Sequence, residues 1–268
     1  MTEQTFFKRY LALLKIRKRM PSYEALKELI SAQMMRIPFE NVSKLYYRNR
    51  QGLHSLHSLQ QHLDGIEYFN YGGTCYSNNY FLHLLLEYLG YDVMLCGADM
   101  SEPDVHLVNI VSLDGREFLV DVGYAATFME PLPLDLDQDY IISGGYNRYV
   151  LKPKNKNGNS YLELYQENQL THGYMVKPIC RKIEYFKQVI EESYQNSSLF
   201  MHSLLMVRTY PGRSIRIHNL SVIESEGAEY KVYQIKNKHE LSKVIEEKFS
   251  ISQDIVSEVI ENLEFHED

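Results

Sequence analysis

The chain has 268 residues, 44% of them hydrophobic, and a formal net charge of −7, which suits one large domain, or two or three small ones, with a substantial core. The negative balance argues against a general nucleic-acid binder, and no run of about 18 apolar residues offers a membrane span. Cys75, Cys96 and Cys180 are odd in number and far apart in sequence, and Met1 to Tyr10 hold no apolar core of signal-peptide length, so a reducing cytoplasm is expected rather than a disulfide framework.

Residues 1–90 read as mostly helical. Phe6 to Ile16 and Tyr23 to Met35 carry apolar residues at three- and four-residue intervals, and Pro21-Ser22 separates them. The second pattern ends in Arg36-Ile37-Pro38-Phe39-Glu40-Asn41, where the residue before proline is driven out of the helical region. The residues themselves suggest a salt bridge between Arg36 and Glu40 over a buried Phe39, a pair that can also brace a site. His54, His57 and His62 follow, but no cysteine or acid completes a zinc set there, so no metal is expected.

The stretch Tyr71-Gly72-Gly73-Thr74-Cys75-Tyr76-Ser77-Asn78-Asn79 leads into Phe81, Leu84, Leu85, Tyr88 and Leu89 at helical spacing, with Gly90 as a stop. Cys75 is therefore expected in the first turn of a helix with Thr74 as N-cap. The free N–H groups and dipole at such an end favour a thiolate over a thiol, and the glycines permit a sharp turn and close approach. A buried structural cysteine at a helix start fits this stretch equally well.

After Gly90 the period changes to that of strands: Tyr91 to Ala98, His106 to Leu113 and Arg116 to Gly123, with Asp114-Gly115 as a hairpin turn between the last two. A two-residue loop pairs Leu113 with Arg116. Val108 then faces Asp121, and His106 faces Gly123. His106 and Asp121 become diagonal neighbours on one face, about 7–8 Å apart along the backbone and closer at their tips. An ordinary polar cross-strand pair fits that register too. But Asp121 sits among Phe118, Leu119, Val120 and Val122, where a carboxylate needs a partner, and His106 is the partner on offer. A thiolate, a base and an orienting carboxylate are the parts of covalent acyl transfer. Spacing alone does not show that the helix end meets the hairpin.

Further on, Tyr146 to Lys154 and Asn159 to Gln166 read as a hairpin around 155–158, and Arg181 to Gln195 reads as a helix. Strands are expected at 203–209, 214–223 and 230–236, and helices near 239–249 and 252–264. No internal repeat or low-complexity linker is visible.

Several of these motifs together resemble the arylamine N-acetyltransferase family. Arg36-Ile37-Pro38-Phe39-Glu40-Asn41 is similar to its Arg-x-Pro-Phe-Glu-Asn motif, and Gly72-Gly73-Thr74-Cys75, with Asn79, to its Gly-Gly-x-Cys loop. His106-Leu107-Val108 and Asp121-Val122-Gly123-Tyr124 resemble the stretches that supply the other two triad members. Leu204 to Ile217, with Arg208-Thr209-Tyr210-Pro211-Gly212-Arg213, looks like the family's C-terminal hairpin. The first matches span about half the chain, in family order. There are departures. Tyr71 stands where the family usually has Arg, Ser77 where it has Glu, Ala125 where it has Gly, and Ser198 where a proline is expected. They bear on loop rigidity, acceptor range and rate more than on reaction type.

The resemblance implies an α+β fold with a cysteine-protease-like core. Its three parts would be a helical bundle over 1–90 carrying the nucleophile, a β-barrel over 91–180 carrying His and Asp, and a linker helix with an α/β lid over 181–268. It implies ping-pong transfer of acetyl from acetyl-CoA through Cys75, His106 and Asp121 to aromatic amines or hydrazines, in xenobiotic metabolism and in the cytoplasm. Phe39, Leu107 and Tyr124 map to the acceptor pocket, and Gly123, Arg208 and Thr209 to the coenzyme A side, where Arg213 and Arg216 offer further positive charge. Acetyl-CoA is then a substrate rather than a resident cofactor, nucleic acid and membrane are not partners, and the assembly is a monomer or homodimer. Two other readings stay open: a related cysteine acyl enzyme, such as an amide synthase with a larger acyl group or a thiol hydrolase, and a non-catalytic relic that binds acyl-CoA.

Overall fold

The structure is a computed structural model that describes residues 3–144 and 146–265. The chain opens with α1 (Glu3–Leu14), α2 (Tyr23–Arg36), the two-residue strand β1 (Phe39–Glu40), α3 (Val42–Gln51), α4 (Leu59–Phe69) and α5 (Cys75–Leu89). Ser22 caps α2 by accepting Ala25 N–H, and Ser58 with Gln61 forms a capping box on α4. Gly90, at φ +89°, ends α5 as expected.

An antiparallel sheet follows, made of β2 (Asp92–Asp99), β3 (His106–Leu113), β4 (Arg116–Val120), β5 (Leu132–Pro133), β6 (Tyr140–Gly144), β7 (Asn147–Leu151), β8 (Ser160–Gln166) and β9 (Gln169–Cys180). Its strands run in the order β5-β4-β3-β2-β9-β8-β7-β6 and curl into a nearly closed barrel. Leu113 pairs with Arg116 across Asp114-Gly115, whose φ values of 51° and 75° suit a tight hairpin turn. Cys96 and Cys180, remote in sequence, lie opposite each other between β2 and β9, both as free thiols.

The expected helix over 181–195 is shorter. A 3₁₀ turn (Ile183–Phe186) leads into α6 (Lys187–Glu192), and α7 (Leu199–His202) follows. A second antiparallel sheet contains β1, β10 (Leu205–Tyr210), β11 (Arg213–His218), β12 (Ser221–Glu226) and β13 (Glu229–Gln234), in that order. The single strand expected over 214–223 is two strands, because Asn219 turns the chain at φ 50° and its side chain accepts Leu204 N–H. α8 (Lys238–Phe249) and α9 (Gln253–Ile260) complete the described chain.

Three apolar clusters hold these layers. One joins α1, α2, α4 and α5 to Val111, Val120 and Val122. A second fills the barrel with Val108, Ile110, Leu119, Tyr149, Leu162 and Tyr174. The third seats α8 and α9 on Met206, Ile215 and Ile217 and runs on to Val42, Cys75 and Tyr76. α5 thus contributes its first turn to one cluster and Phe81, Leu82 and Leu85 to another. Its N-terminus is fixed where the layers meet.

Candidate active site

The loop before Cys75 is zipped to β1. Phe39 and Gly73 form a parallel bridge, and Glu40 N–H donates to the Gly73 carbonyl at 3.0 Å. The Glu40 carboxylate accepts Gly72 N–H at 2.9 Å and Ser43 N–H at 2.8 Å. It is fully buried, and burial raises its pKa while those N–H groups oppose the rise. The approach needs glycine, since a Cβ on Gly72 would lie 1.9 Å from the Pro38 carbonyl oxygen. Glu40 therefore braces the loop directly, and the expected Arg36–Glu40 bridge does not form. Arg36 instead donates to Ile66 O (2.7 Å) and Asn70 Oδ1 (3.2 Å), closing the last turn of α4.

Cys75 begins α5 as expected, but Thr74 caps it through backbone geometry alone, with no side-chain bond. Asn78 Nδ2 donates to Gly73 O at 2.9 Å, and the Ser77 hydroxyl donates to Thr74 O at 3.3 Å. The Tyr71 ring is 1% exposed and packs against Tyr46, Tyr47 and Phe69. Its hydroxyl is buried without a hydrogen-bond partner.

His106 starts β3, and Asp121 follows the end of β4. The β3–β4 register ends with Asn109 opposite Val120, one residue before Asp121. His106 Nε2 and Asp121 Oδ2 lie 2.7 Å apart, with both side chains buried. The strand stops early because the carboxylate takes the Gly123 N–H at 2.9 Å. Asn79 lies one helical turn after Cys75, on the same face. Its amide donates to Asp121 Oδ1 and Leu107 O, and its oxygen accepts Val122 N–H. Gly123 lies against Cys75: a Cβ there would be 2.6 Å from its Cα.

Burial opposes a charged His106, but the charge and hydrogen bond of Asp121 outweigh it. Together with Cys75 nearby they push the imidazole up to about 10. Burial likewise opposes the Asp121 carboxylate, yet His106, then Tyr174 and Asn79, hold its pKa below the ordinary value. The site is thus built for a protonated His106 beside an ionised Asp121. Cys96 is pushed up to about 12, chiefly by burial.

Phe39 is buried edge-on to Phe200 and shares a small cavity with Asp121, Ala125, Val207 and Thr209. Leu107 is fully buried. The Tyr124 ring stands 5.9 Å from that of His106, and its hydroxyl meets His172 Nδ1 at 2.7 Å. Thr209 donates to Ala126 O at 3.2 Å. Arg208 is not the free cation expected of a phosphate arm. It is buried and donates to the carbonyls of Lys248 and Phe249, closing the end of α8. His57 and His62 sit 3.5 Å apart, both pushed down by burial, His57 to about 4. Among the described residues no cluster of His, Cys, Asp or Glu is placed to hold a metal. Sequence reasoning missed Tyr174, whose hydroxyl donates to Asp121 Oδ2 at 2.6 Å, and His172 beside Tyr124. Both arrive on β9, and neither carries a local sequence signal.

A model of the N-acetyltransferase family matches residues 22–257. Proansamycin X synthase of Amycolatopsis mediterranei (strain S699) is 37% identical over 123 residues, covering 41% of this chain and 44% of the relative. Arylamine N-acetyltransferase, pineal gland isozyme NAT-3, of Gallus gallus is 27% identical over 187 residues, covering 62% of this chain and 60% of the relative. The chain thus spans about half the length of these two relatives, 44% and 60%. The fold matches the arylamine N-acetyltransferase of Mycobacterium abscessus with a TM-score of 0.80 at 17% identity, over 96% of this chain and 95% of that one. It matches the Mycobacterium marinum arylamine N-acetyltransferase in complex with CoA with a TM-score of 0.81 at 18% identity, over 97% and 100%. Among the described residues no helix is long and apolar enough to cross a membrane.

Proposed function

The chain belongs to the N-acetyltransferase family, and on that premise we propose that it is an arylamine N-acetyltransferase working by ping-pong acyl transfer through Cys75. The observation that carries the proposal is the 2.7 Å bond between His106 and Asp121, with Cys75 among the groups that raise the same imidazole. In the first half-reaction the Cys75 thiolate attacks the carbonyl of acetyl-CoA. The bond from carbonyl carbon to coenzyme sulfur breaks, and coenzyme A leaves as the thiol with a proton from His106. In the second, an aromatic amine or hydrazine attacks the acetyl-cysteine, His106 takes the amine proton, and the Cys75 thiolate leaves. Asp121 holds His106 in orientation throughout. N–H groups at the start of α5, which no Thr74 side chain occupies, suit the oxyanion. CoA as the carrier is supported by the M. marinum relative, solved in complex with it.

The test is mass spectrometry after mixing with acetyl-CoA. A gain of one acetyl group on the Cys75 peptide, released by an aromatic amine, is the expected result. No adduct on a folded protein would leave only acyl-CoA binding. One observation favours a second reading, a cysteine acyltransferase with a larger acyl group: the relative matched at 37% identity carries a synthase name. A panel of acyl thioesters of rising length separates the two by which one loads Cys75 fastest.

A further inference from the structure

Two of the three cysteines form a pair that the proposed reaction leaves unused. Cys96 of β2 and Cys180 of β9 are direct cross-strand partners, and both are free thiols. Partners in an antiparallel pair share a face and stand about 4.5–5.5 Å apart at Cα. That spacing lies inside the range a disulfide spans. The pairing is pinned by Arg181 N–H, which donates to Leu95 O at 2.8 Å.

This is where the ladder between β2 and β9 ends. Ala98 partners Val176, so β9 sets Lys177, Pro178 and Ile179 opposite Gly97 alone. Lys177 turns out to Asp99 at 2.6 Å and Asp104 at 2.7 Å, and Pro178 has no N–H to give. Beyond Cys180 the chain leaves the barrel for the 3₁₀ turn and α6. The end of β9 is thus joined to β2 across a gap in the ladder. The two thiols there differ in access. Cys96 is fully buried in the barrel cluster, and burial pushes its thiol up to about 12. Cys180 is exposed. Cys75, at the start of α5, belongs to a different cluster.

We propose that Cys96 and Cys180 are a reversible thiol–disulfide exchange site, separate from Cys75, whose substrate is a low-molecular-weight disulfide of the glutathione kind. The Cys180 thiolate attacks one sulfur of that disulfide. Its S–S bond breaks, a mixed disulfide forms on Cys180, and the first small thiol leaves with a proton from solvent. Cys96 then gives up its proton and attacks the Cys180 sulfur, and the second small thiol leaves carrying a proton. Two protein thiols are oxidised to one disulfide, and the small disulfide is reduced to two thiols. A buried, protonated Cys96 makes the second step the slow one, so the mixed disulfide builds up before the link closes. The link closes a long loop and ties the end of β9 to β2, so the oxidised protein should melt higher.

The test uses Cys75→Ser protein, in which the pair supplies the only thiols. It is incubated with glutathione disulfide, quenched with acid, and read by intact mass, peptide mapping and thermal melting. The expected result is a transient gain of one glutathione on Cys180, replaced by a Cys96–Cys180 crosslink with the loss of two hydrogen atoms. Tm should rise by roughly 5 °C and return on reduction with dithiothreitol. In the same background Cys96→Ser should stop at the mixed disulfide, and Cys180→Ser should give neither product. Wild type should yield the same crosslinked peptide, whatever Cys75 undergoes. A glutathione adduct that persists on Cys180 while Cys96 is intact overturns the proposal, because the partner thiol then does not reach it. So do two unreacted thiols, a crosslink between two chains, or a crosslinked form that melts lower. None of these readouts depends on acetyl transfer.

Discussion

Asn79 holds the carboxylate of Asp121 at 2.8 Å from the same amide that bonds the Leu107 carbonyl, while its oxygen takes the Val122 N–H at 2.9 Å. One side chain on α5 thus ties both arms of the β3–β4 hairpin to the turn that carries Cys75. Replacing Asn79 by Ala leaves a buried carbonyl and a buried N–H unsatisfied and loosens the carboxylate. The expected loss is about 2–4 kcal/mol of stability, with the single-turnover burst of coenzyme A slowed by orders of magnitude. Denaturant unfolding and stopped-flow release measure the two. A near-normal burst in the folded variant would show that the helix and hairpin keep their relation without this amide.

Gly123 tests how closely the hairpin lies on Cys75. Gly123→Ala drives a methyl group toward Cys75 Cα, 2.6 Å away. The backbones must part, at roughly 1–3 kcal/mol, and acylation of Cys75 should slow by on the order of 100-fold from misplacement. The control is Gly115→Asn, at the outer turn, where nothing lies within 4 Å and φ is +75°. Asparagine tolerates that conformation, so this variant should unfold and react as wild type. Equal effects of the two substitutions would refute the close-approach argument.

Ala125 sits at φ 59°, a left-handed conformation that strains a residue bearing a Cβ. Ala125→Gly relieves this at the expense of a more flexible unfolded chain. The net expectation is a gain of about 0.5–1 kcal/mol, read as a shift in urea midpoint at unchanged slope. A destabilised Ala125→Gly would mean the methyl's packing outweighs the strain.

The pH dependence follows from the His106–Asp121 pair. His106 is raised from 6.5 to about 10 in the folded protein. Its contribution to stability is therefore complete below 6.5 and is lost as pH rises toward 10. Asp121, lowered from 3.8, contributes above that value and loses its contribution as pH falls below it. The stability gap between wild type and His106→Gln should be widest between the two limits and narrow as pH approaches 10. A gap that is flat to that pH would place the imidazole in its neutral form.

Tyr71 fills its site with a ring but leaves its hydroxyl buried and unpaired. Tyr71→Phe should thus be neutral or slightly stabilising. Tyr71→Ala should lose about 3 kcal/mol or more, as for other buried aromatics, and slow acetylation of Cys75 through a looser loop. Thermal melts of both variants test the expectation. Marked destabilisation by Tyr71→Phe would reveal a bond to the hydroxyl.

Cys75, His106 and Asp121 were each legible in the sequence as candidates because local rules place them, while their meeting was not. Gly-Gly before an apolar helical period marks Cys75 as a helix start, and Asp114-Gly115 fixes a register that brings His106 to Asp121, 15 residues away. Other parts depended on tertiary structure. Glu40 braces Gly72 across 32 residues instead of pairing with Arg36, Tyr174 reaches Asp121 across 53, and Arg208 closes a helix 41 residues further on. A buried carboxylate or guanidinium takes whichever donor or carbonyl packing brings to it. That choice is made by how β1, β9 and α8 fold back on the site, and no local period encodes it.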